Sequence, residues 1–135
     1  MFIDASALCA VLLDEPDREI FYARIMGPAP LKLTSPVAVW ETTRAIVRNA
    51  LSEPEWAKAR VEAFLDAAQV DRVTIGPVEQ ALAIEAFDRF GKLRHPAALN
   101  MGDCFAYACA RSHEVPLLFK GDDFSRTGIE SALTR

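Results

Sequence analysis

The chain has 135 residues, of which 51% are hydrophobic and 25% charged, with a formal net charge of −4 at pH 7. That size and balance suit one globular domain and exclude disordered, collagen-like and coiled-coil chains. The acidic total also excludes binding of long duplex nucleic acid through a global basic field, so any nucleic acid must be gripped locally or through metal ions.

No apolar run approaches the roughly 20 residues that a membrane span requires. The hydrophobic opening Met1 to Leu13 is interrupted by Asp4 and has no basic flank, the wrong pattern for a signal peptide. The expectation is a cytoplasmic protein with no membrane partner. Cys9, Cys104 and Cys109 cannot all pair and sit on apolar helix faces. With neither a CxxC pair nor clustered histidines beside them, they read as free buried thiols rather than zinc ligands.

In chain order, Met1-Phe2-Ile3 is a short buried strand that ends at Asp4. Ser6 is suited to cap the short helix that follows through Leu12, and Pro16 opens a second helix with Ile20, Phe21 and Ile25 at helical spacing and Gly27-Pro28 as its stop. Leu31 to Thr34 reads as the second strand. Ser35-Pro36 then starts a helix carrying Val37, Trp40, Ala45, Ile46 and Val47, with Glu41 near its beginning. Glu53-Pro54-Glu55 opens a helix through Trp56, Val61, Phe64 and Leu65, and Val70 to Ile75 is the third strand. After Gly76-Pro77, Leu82, Ile84, Phe87 and Phe90 continue a helix that stops at Gly91, a residue suited to the left-handed conformation. A loop from Lys92 to Pro96 leads to a helix over Met101 to Ser112, and Pro116 to Phe119 is the fourth strand, running into Lys120-Gly121-Asp122-Asp123-Phe124.

Short strands alternating with helices require crossover connections, hence a mainly parallel sheet covered on both faces. The expected architecture is a three-layer α/β/α domain spanning residues 1–135, without repeats or linkers. In such sheets the reactive crevice lies outside the carboxyl ends of the strands. Asp4 ends the first strand, and Asp122 and Asp123 follow the last one. Asp103 and Glu41 are acids set among apolar helical neighbours.

Each acid alone has an ordinary explanation: a helix-start charge for Asp4 or Asp103, a solvated helix residue for Glu41, turn residues for Asp122 and Asp123. Together, at one end of a small sheet, they would repel and raise each other's pKa unless a cation neutralised them. An all-oxygen set favours Mg²⁺, or Mn²⁺ as its substitute, over Zn²⁺. A metal so held can activate water for attack on a phosphodiester.

Four stretches carry a family resemblance: Phe2-Ile3-Asp4-Ala5-Ser6-Ala7-Leu8; Val39-Trp40-Glu41-Thr42; Leu99-Asn100-Met101-Gly102-Asp103-Cys104-Phe105-Ala106-Tyr107-Ala108; and Pro116-Leu117-Leu118-Phe119-Lys120-Gly121-Asp122-Asp123-Phe124. In this order they resemble PIN-domain ribonucleases, specifically the VapC toxins of VapBC toxin–antitoxin modules. The resemblance implies a PIN fold and an Mg²⁺-dependent endoribonuclease. It makes Asp4 and Asp103 the principal metal ligands and Glu41 the third acid. Asp123 is favoured as the fourth, with Asp122 assisting through water. Ser6 resembles the small polar residue that supports the first Asp. The implied partners are a VapB-type antitoxin, an RNA with single-stranded loops, and a second copy of the chain, with the apolar helices after Asp4 and Glu41 as donors of the homodimer surface.

Lys92, Arg94 and His95 form a local basic loop, and Lys120 and Arg126 flank the last acids, so Lys92, Arg94, Lys120 and Arg126 are candidate RNA phosphate contacts, with plain surface charge as the alternative. His95 is not needed as a general base if a metal activates the water. Trp40, Trp56, Phe87 and Phe90 fall at helical core spacing, so base stacking on them is not expected. Among rival classes, a phosphoacceptor receiver needs a second acid beside Asp4 and an Asp ending a middle strand. An Asp-x-Asp phosphatase needs an acid where Ser6 stands. A PIN-domain RNA-processing nuclease outside the toxin group and a non-catalytic PIN binding module are the remaining alternatives; the intact acids oppose the latter.

Overall fold

The computed structural model describes residues 1–134. Among them, β1 (Phe2–Ile3), β2 (Leu33–Thr34), β3 (Asp71–Arg72) and β4 (Leu117–Leu118) form one sheet in the order β3-β2-β1-β4, with every neighbouring pair parallel. Phe2 lies opposite both Leu33 and Leu117, and Ile3 opposite Leu118. Strands of two residues persist because both faces are covered: Phe2, Ile3, Leu117 and Leu118 are fully buried.

Alternation along the strands divides the core. Phe2, Leu33 and Leu117 point to one side, against α5 (Pro77–Phe90) and α6 (Met101–Ser112) through Ala83, Ala86, Phe90 and Ala106. Ile3 and Leu118 point to the other. There they meet α1 (Ala5–Leu12), α2 (Arg18–Met26), α3 (Pro36–Ala50) and α4 (Pro54–Ala67) through Leu8, Phe21, Ile25, Ile46, Val61 and Leu65. The expected three-layer α/β/α arrangement is therefore present. Truncating Phe2 to alanine would cost about 3–5 kcal/mol, a large part of the stability of a domain this size.

Several local expectations need correction. The strands predicted over Leu31 to Thr34, Val70 to Ile75 and Pro116 to Phe119 are each shorter, although Val73 N–H still donates to Thr34 O at 2.8 Å. The second ends where Ser35 turns the chain into α3, its Oγ accepting from Ala38 N–H at 3.1 Å. Asp4, not Ser6, is the N-cap of α1. Gly91 is extended (φ −67°, ψ 162°) rather than left-handed; its role is close approach, since a Cβ there would collide with the Phe87 carbonyl and ring.

Trp40, Trp56 and Phe87 are 62%, 49% and 50% exposed, and of that group only Phe90 is core. Spacing could not reveal this, because the guanidinium groups of Arg44 and Arg60 lie over the Trp40 and Trp56 rings and take the place of core packing. Cys104 and Cys109 are buried, whereas Cys9 is only partly so. All three are free thiols, and burial raises them to about 11, 12 and 11 for Cys104, Cys109 and Cys9, so they stay protonated at neutral pH. No helix among the described residues is long and apolar enough to cross a membrane.

Candidate active site

The chain leaves β1 toward β2 on one side, and β4 returns on the other, so the order of connection reverses between β1 and β4. A crevice opens at the carboxyl ends of strands at such a point. Asp4 stands there directly after β1, its N–H bonded to Leu118 O at 3.0 Å and its side chain 5% exposed. As the N-cap of α1 its Oδ2 accepts from Ser6 N–H at 3.0 Å and from Ser6 Oγ at 2.5 Å. Burial raises the Asp4 pKa, and the two Ser6 bonds oppose that rise without cancelling it. Ser6 thus supports the carboxylate of Asp4, and its own Oγ accepts from Lys120 N–H at 3.0 Å.

Asp103 reaches the same end of the sheet from α6. Residues 91–99 are anchored to it by Lys92 N–H to Leu99 O at 3.1 Å and Leu99 N–H to Phe90 O at 2.9 Å. Asn100 then caps α6 reciprocally: its Oδ1 accepts from Asp103 N–H at 2.9 Å, while Asp103 Oδ2 accepts from Asn100 N–H at 3.1 Å. This spacing of Asn and Asp before an apolar run is a sequence signal for the placement of Asp103. Burial pushes Asp103 up to about 6 against the Asn100 bond, with the charges of Asp4 and Asp123 adding to the rise.

Glu41 comes from α3 and is half-buried. Burial first, then Asp4 and Asp103, lift it to about 7. Its carboxylate lies against Gly102, where a Cβ would stand 2.6 Å from Oε1 and nearer still to Oε2. Asp123 is exposed, and its charge acts on Asp4 and Asp103. Asp122 exerts no such effect; its carbonyl instead closes a turn, accepting from Ser125 N–H at 3.1 Å and Ser125 Oγ at 2.6 Å. Of the adjacent pair, Asp123 is the one electrically joined to the cluster.

The basic residues divide. Arg94 pairs with Asp88 at 2.7 Å, and Lys120 Nζ is held by Glu15 and, at 3.0 Å, by Asp17. Lys92 and Arg126 enter no ion pair among the described residues. His95 shapes the turn ahead of α6: its Nδ1 accepts from Ala97 N–H at 3.0 Å and its ring meets Phe90 edge-on.

Charge from neighbouring carboxylates thus acts on Asp4, Glu41 and Asp103, yet among the described residues no group of three or more His, Cys, Asp or Glu side chains is placed to hold a metal ion. The donors are all carboxylate oxygens, a chemistry that suits a hard cation and not the nitrogen and sulfur ligands of a structural zinc site.

Residues 1–130 match the PIN domain family model. The chain is 40% identical over 129 residues to Ribonuclease VapC30 of Mycobacterium tuberculosis, covering 96% of this chain and 95% of that protein. It is 37% identical over 129 residues to Ribonuclease VapC of Mycolicibacterium smegmatis, covering 96% and 97%. The fold also matches the crystal structure of Mycobacterium tuberculosis VapC20, described as a sarcin-ricin loop cleaving toxin, with a TM-score of 0.76 and 18% identity over 95% of each chain. With its acids gathered at the carboxyl ends of β1 and β4, the chain belongs to the PIN-domain family and, within it, to the VapC ribonucleases.

Proposed function

We propose that this chain is an endoribonuclease toxin that hydrolyses RNA phosphodiester bonds with the help of Mg²⁺, for which Mn²⁺ can substitute. The observation that carries this reading is the placement of Asp4, Glu41 and Asp103 at one end of the sheet, where burial first, and neighbouring carboxylate charge after it, raises the proton affinity of all three. Such a set is poorly tolerated without a cation, and its all-oxygen chemistry selects a hard one. Asp4 and Asp103 would be the principal ligands of the ion, with Glu41 as the third acid, Asp123 as the fourth and Asp122 assisting through water. When bound, the ion would lower the pKa of a coordinated water and neutralise charge on the phosphate.

The protein's own groups do the rest. Ser6 fixes the Asp4 carboxylate, the Asn100 backbone N–H fixes the Asp103 carboxylate, and the hollow at Gly102 receives Glu41. Burial and neighbouring charge raise Glu41 to about 7 and Asp103 to about 6 in the absence of an ion, a cost that a bound cation would relieve. Lys92 and Arg126 are the basic candidates left for RNA phosphates, since Arg94 and Lys120 are bonded to acids of their own chain. The family membership supports a VapB-type antitoxin as the silencing partner and a homodimer as the working form.

The test is cleavage of total RNA in Mg²⁺ by the purified, antitoxin-free chain beside Asp4→Asn and Asp103→Asn. Cleavage by the unaltered chain alone is expected. Equal cleavage by all three would assign the activity to a contaminant.

A further inference from the structure

Lys120 follows β4 by two residues and has two distinct attachments. Its backbone N–H donates to Ser6 Oγ at 3.0 Å, and the same hydroxyl donates to Asp4 Oδ2 at 2.5 Å. Its side chain crosses to the turn between α1 and α2, where Nζ donates to Glu15 Oε2 and, at 3.0 Å, to Asp17 Oδ1. These partners lie 105 and 103 positions away in sequence, and Ser6 lies 114 away. Asp17 occupies the N-cap position of α2 yet makes no side-chain cap bond. An acid there would ordinarily satisfy helix N–H groups, so its bond to Lys120 replaces a local bond by a long-range one.

All three side chains of the tether are about two-thirds covered, at 33% exposed for Lys120, 29% for Glu15 and 33% for Asp17. Two carboxylates on one ammonium leave little positive charge to attract a phosphate. Three residues beyond Lys120 stands Asp123, whose charge reaches Asp4 and Asp103. One short segment thus carries the hydrogen bond that orients Ser6 and the acid that completes the set.

We propose that Lys120 is a positioning residue of the nuclease site and not an RNA contact: clamped by Glu15 and Asp17, it holds its own N–H on Ser6, and thereby the Asp4 carboxylate, while fixing the segment that bears Asp123. The inference rests on the nuclease reading above. Removal of supporting groups of this kind reduces activity on the order of 10–100-fold.

The experiment compares Lys120→Met, Lys120→Arg and the double variant Glu15→Gln/Asp17→Asn, measuring kcat and KM for RNA cleavage and amide hydrogen exchange at residue 120. In Lys120→Met, kcat falls on the order of 10–100-fold, KM stays at its original value, and the residue 120 amide loses protection. Lys120→Arg restores most of kcat. The near-isosteric double variant reproduces the kcat loss, and it carries the test alone if Lys120→Met fails to fold. An RNA contact would behave oppositely: Lys120→Met would raise KM at unchanged kcat, and the double variant, having freed the ammonium, would lower KM. Either that pattern or unaltered kcat in both variants overturns the proposal. If the unaltered chain cuts no RNA in Mg²⁺, the nuclease reading fails instead, and amide exchange still reports whether the tether orders residue 120.

Discussion

The carboxylate of Glu41 occupies the hollow left by the missing side chain of Gly102, so two residues far apart in sequence meet next to Asp103. Gly102 is buried, lies in the first turn of α6 and immediately precedes Asp103. Its lack of a Cβ is what lets an acid of α3 approach an acid of α6.

Gly102→Ala should therefore separate folding from activity. The intruding methyl meets the far end of a flexible side chain, which can swing aside, and alanine is favoured over glycine within a helix by about 1 kcal/mol. We expect stability within about 1 kcal/mol of the unaltered chain and RNA cleavage reduced on the order of 10–100-fold, as for loss of a supporting contact. Urea denaturation and a cleavage assay on the same preparation check this. A fully active Gly102→Ala would show that Glu41 need not stand where it does.

Asn100→Ala removes the cap of α6 and leaves Asp103 N–H without its partner. The expected cost is about 1 kcal/mol of stability, together with weaker cleavage, because the first turn of α6 that carries Asp103 loses its side-chain anchor, while Asp103 Oδ2 keeps its bond from the Asn100 backbone N–H. Asp103→Asn should act in the opposite sense on stability, since it removes a carboxylate charge that burial, and after it the charges of Asp4 and Asp123, disfavour. In metal-free buffer at pH 7.5 its melting temperature should lie above that of the unaltered chain while cleavage is abolished. Thermal melts monitored by circular dichroism decide both.

Stability should also depend on pH in a definite direction. Glu41 rises from an ordinary 4.5 to about 7, and Asp103 from 3.8 to about 6. Below the ordinary values both groups are protonated in the folded and unfolded chain alike, and no penalty exists. Between the ordinary and the raised values the unfolded chain ionises first. Metal-free stability is therefore lost as pH climbs from about 4 through 7 on account of these groups. Mn²⁺ should offset the loss by mass action above pH 7 and have little effect near pH 5, where protons occupy the same oxygens. Melting curves across this range, with and without Mn²⁺, measure it; a cation response independent of pH would contradict the cause given.

The alternation of short apolar runs with helices was enough to foresee the parallel three-layer fold, because two-residue strands such as Phe2–Ile3 survive only when buried on both faces. The positions of Asp4 at a strand end and of Asp103 in the first turn of an apolar helix were legible. Other features depend on distant partners and leave little local trace. Lys120 reads from sequence as a candidate phosphate contact, and nothing in Lys120-Gly121-Asp122-Asp123 reveals its bonds to Glu15 and Asp17. Gly91 looked like a left-handed stop, whereas the constraint is the nearness of Phe87. Trp40 and Trp56 fit the apolar period of their helices but point outward beneath arginines, which periodicity alone does not register.

Direct binding of Mn²⁺, followed by calorimetry at pH 7.5 on the unaltered chain, Asp4→Asn, Asp103→Asn and Glu41→Gln, probes the account at its centre. Saturable binding by the unaltered chain, lost with either Asp substitution and weakened with Glu41→Gln, is the predicted result. Equal affinity in all four proteins, or RNA cleavage that persists in EDTA, would contradict the claim that these acids serve by holding a divalent ion.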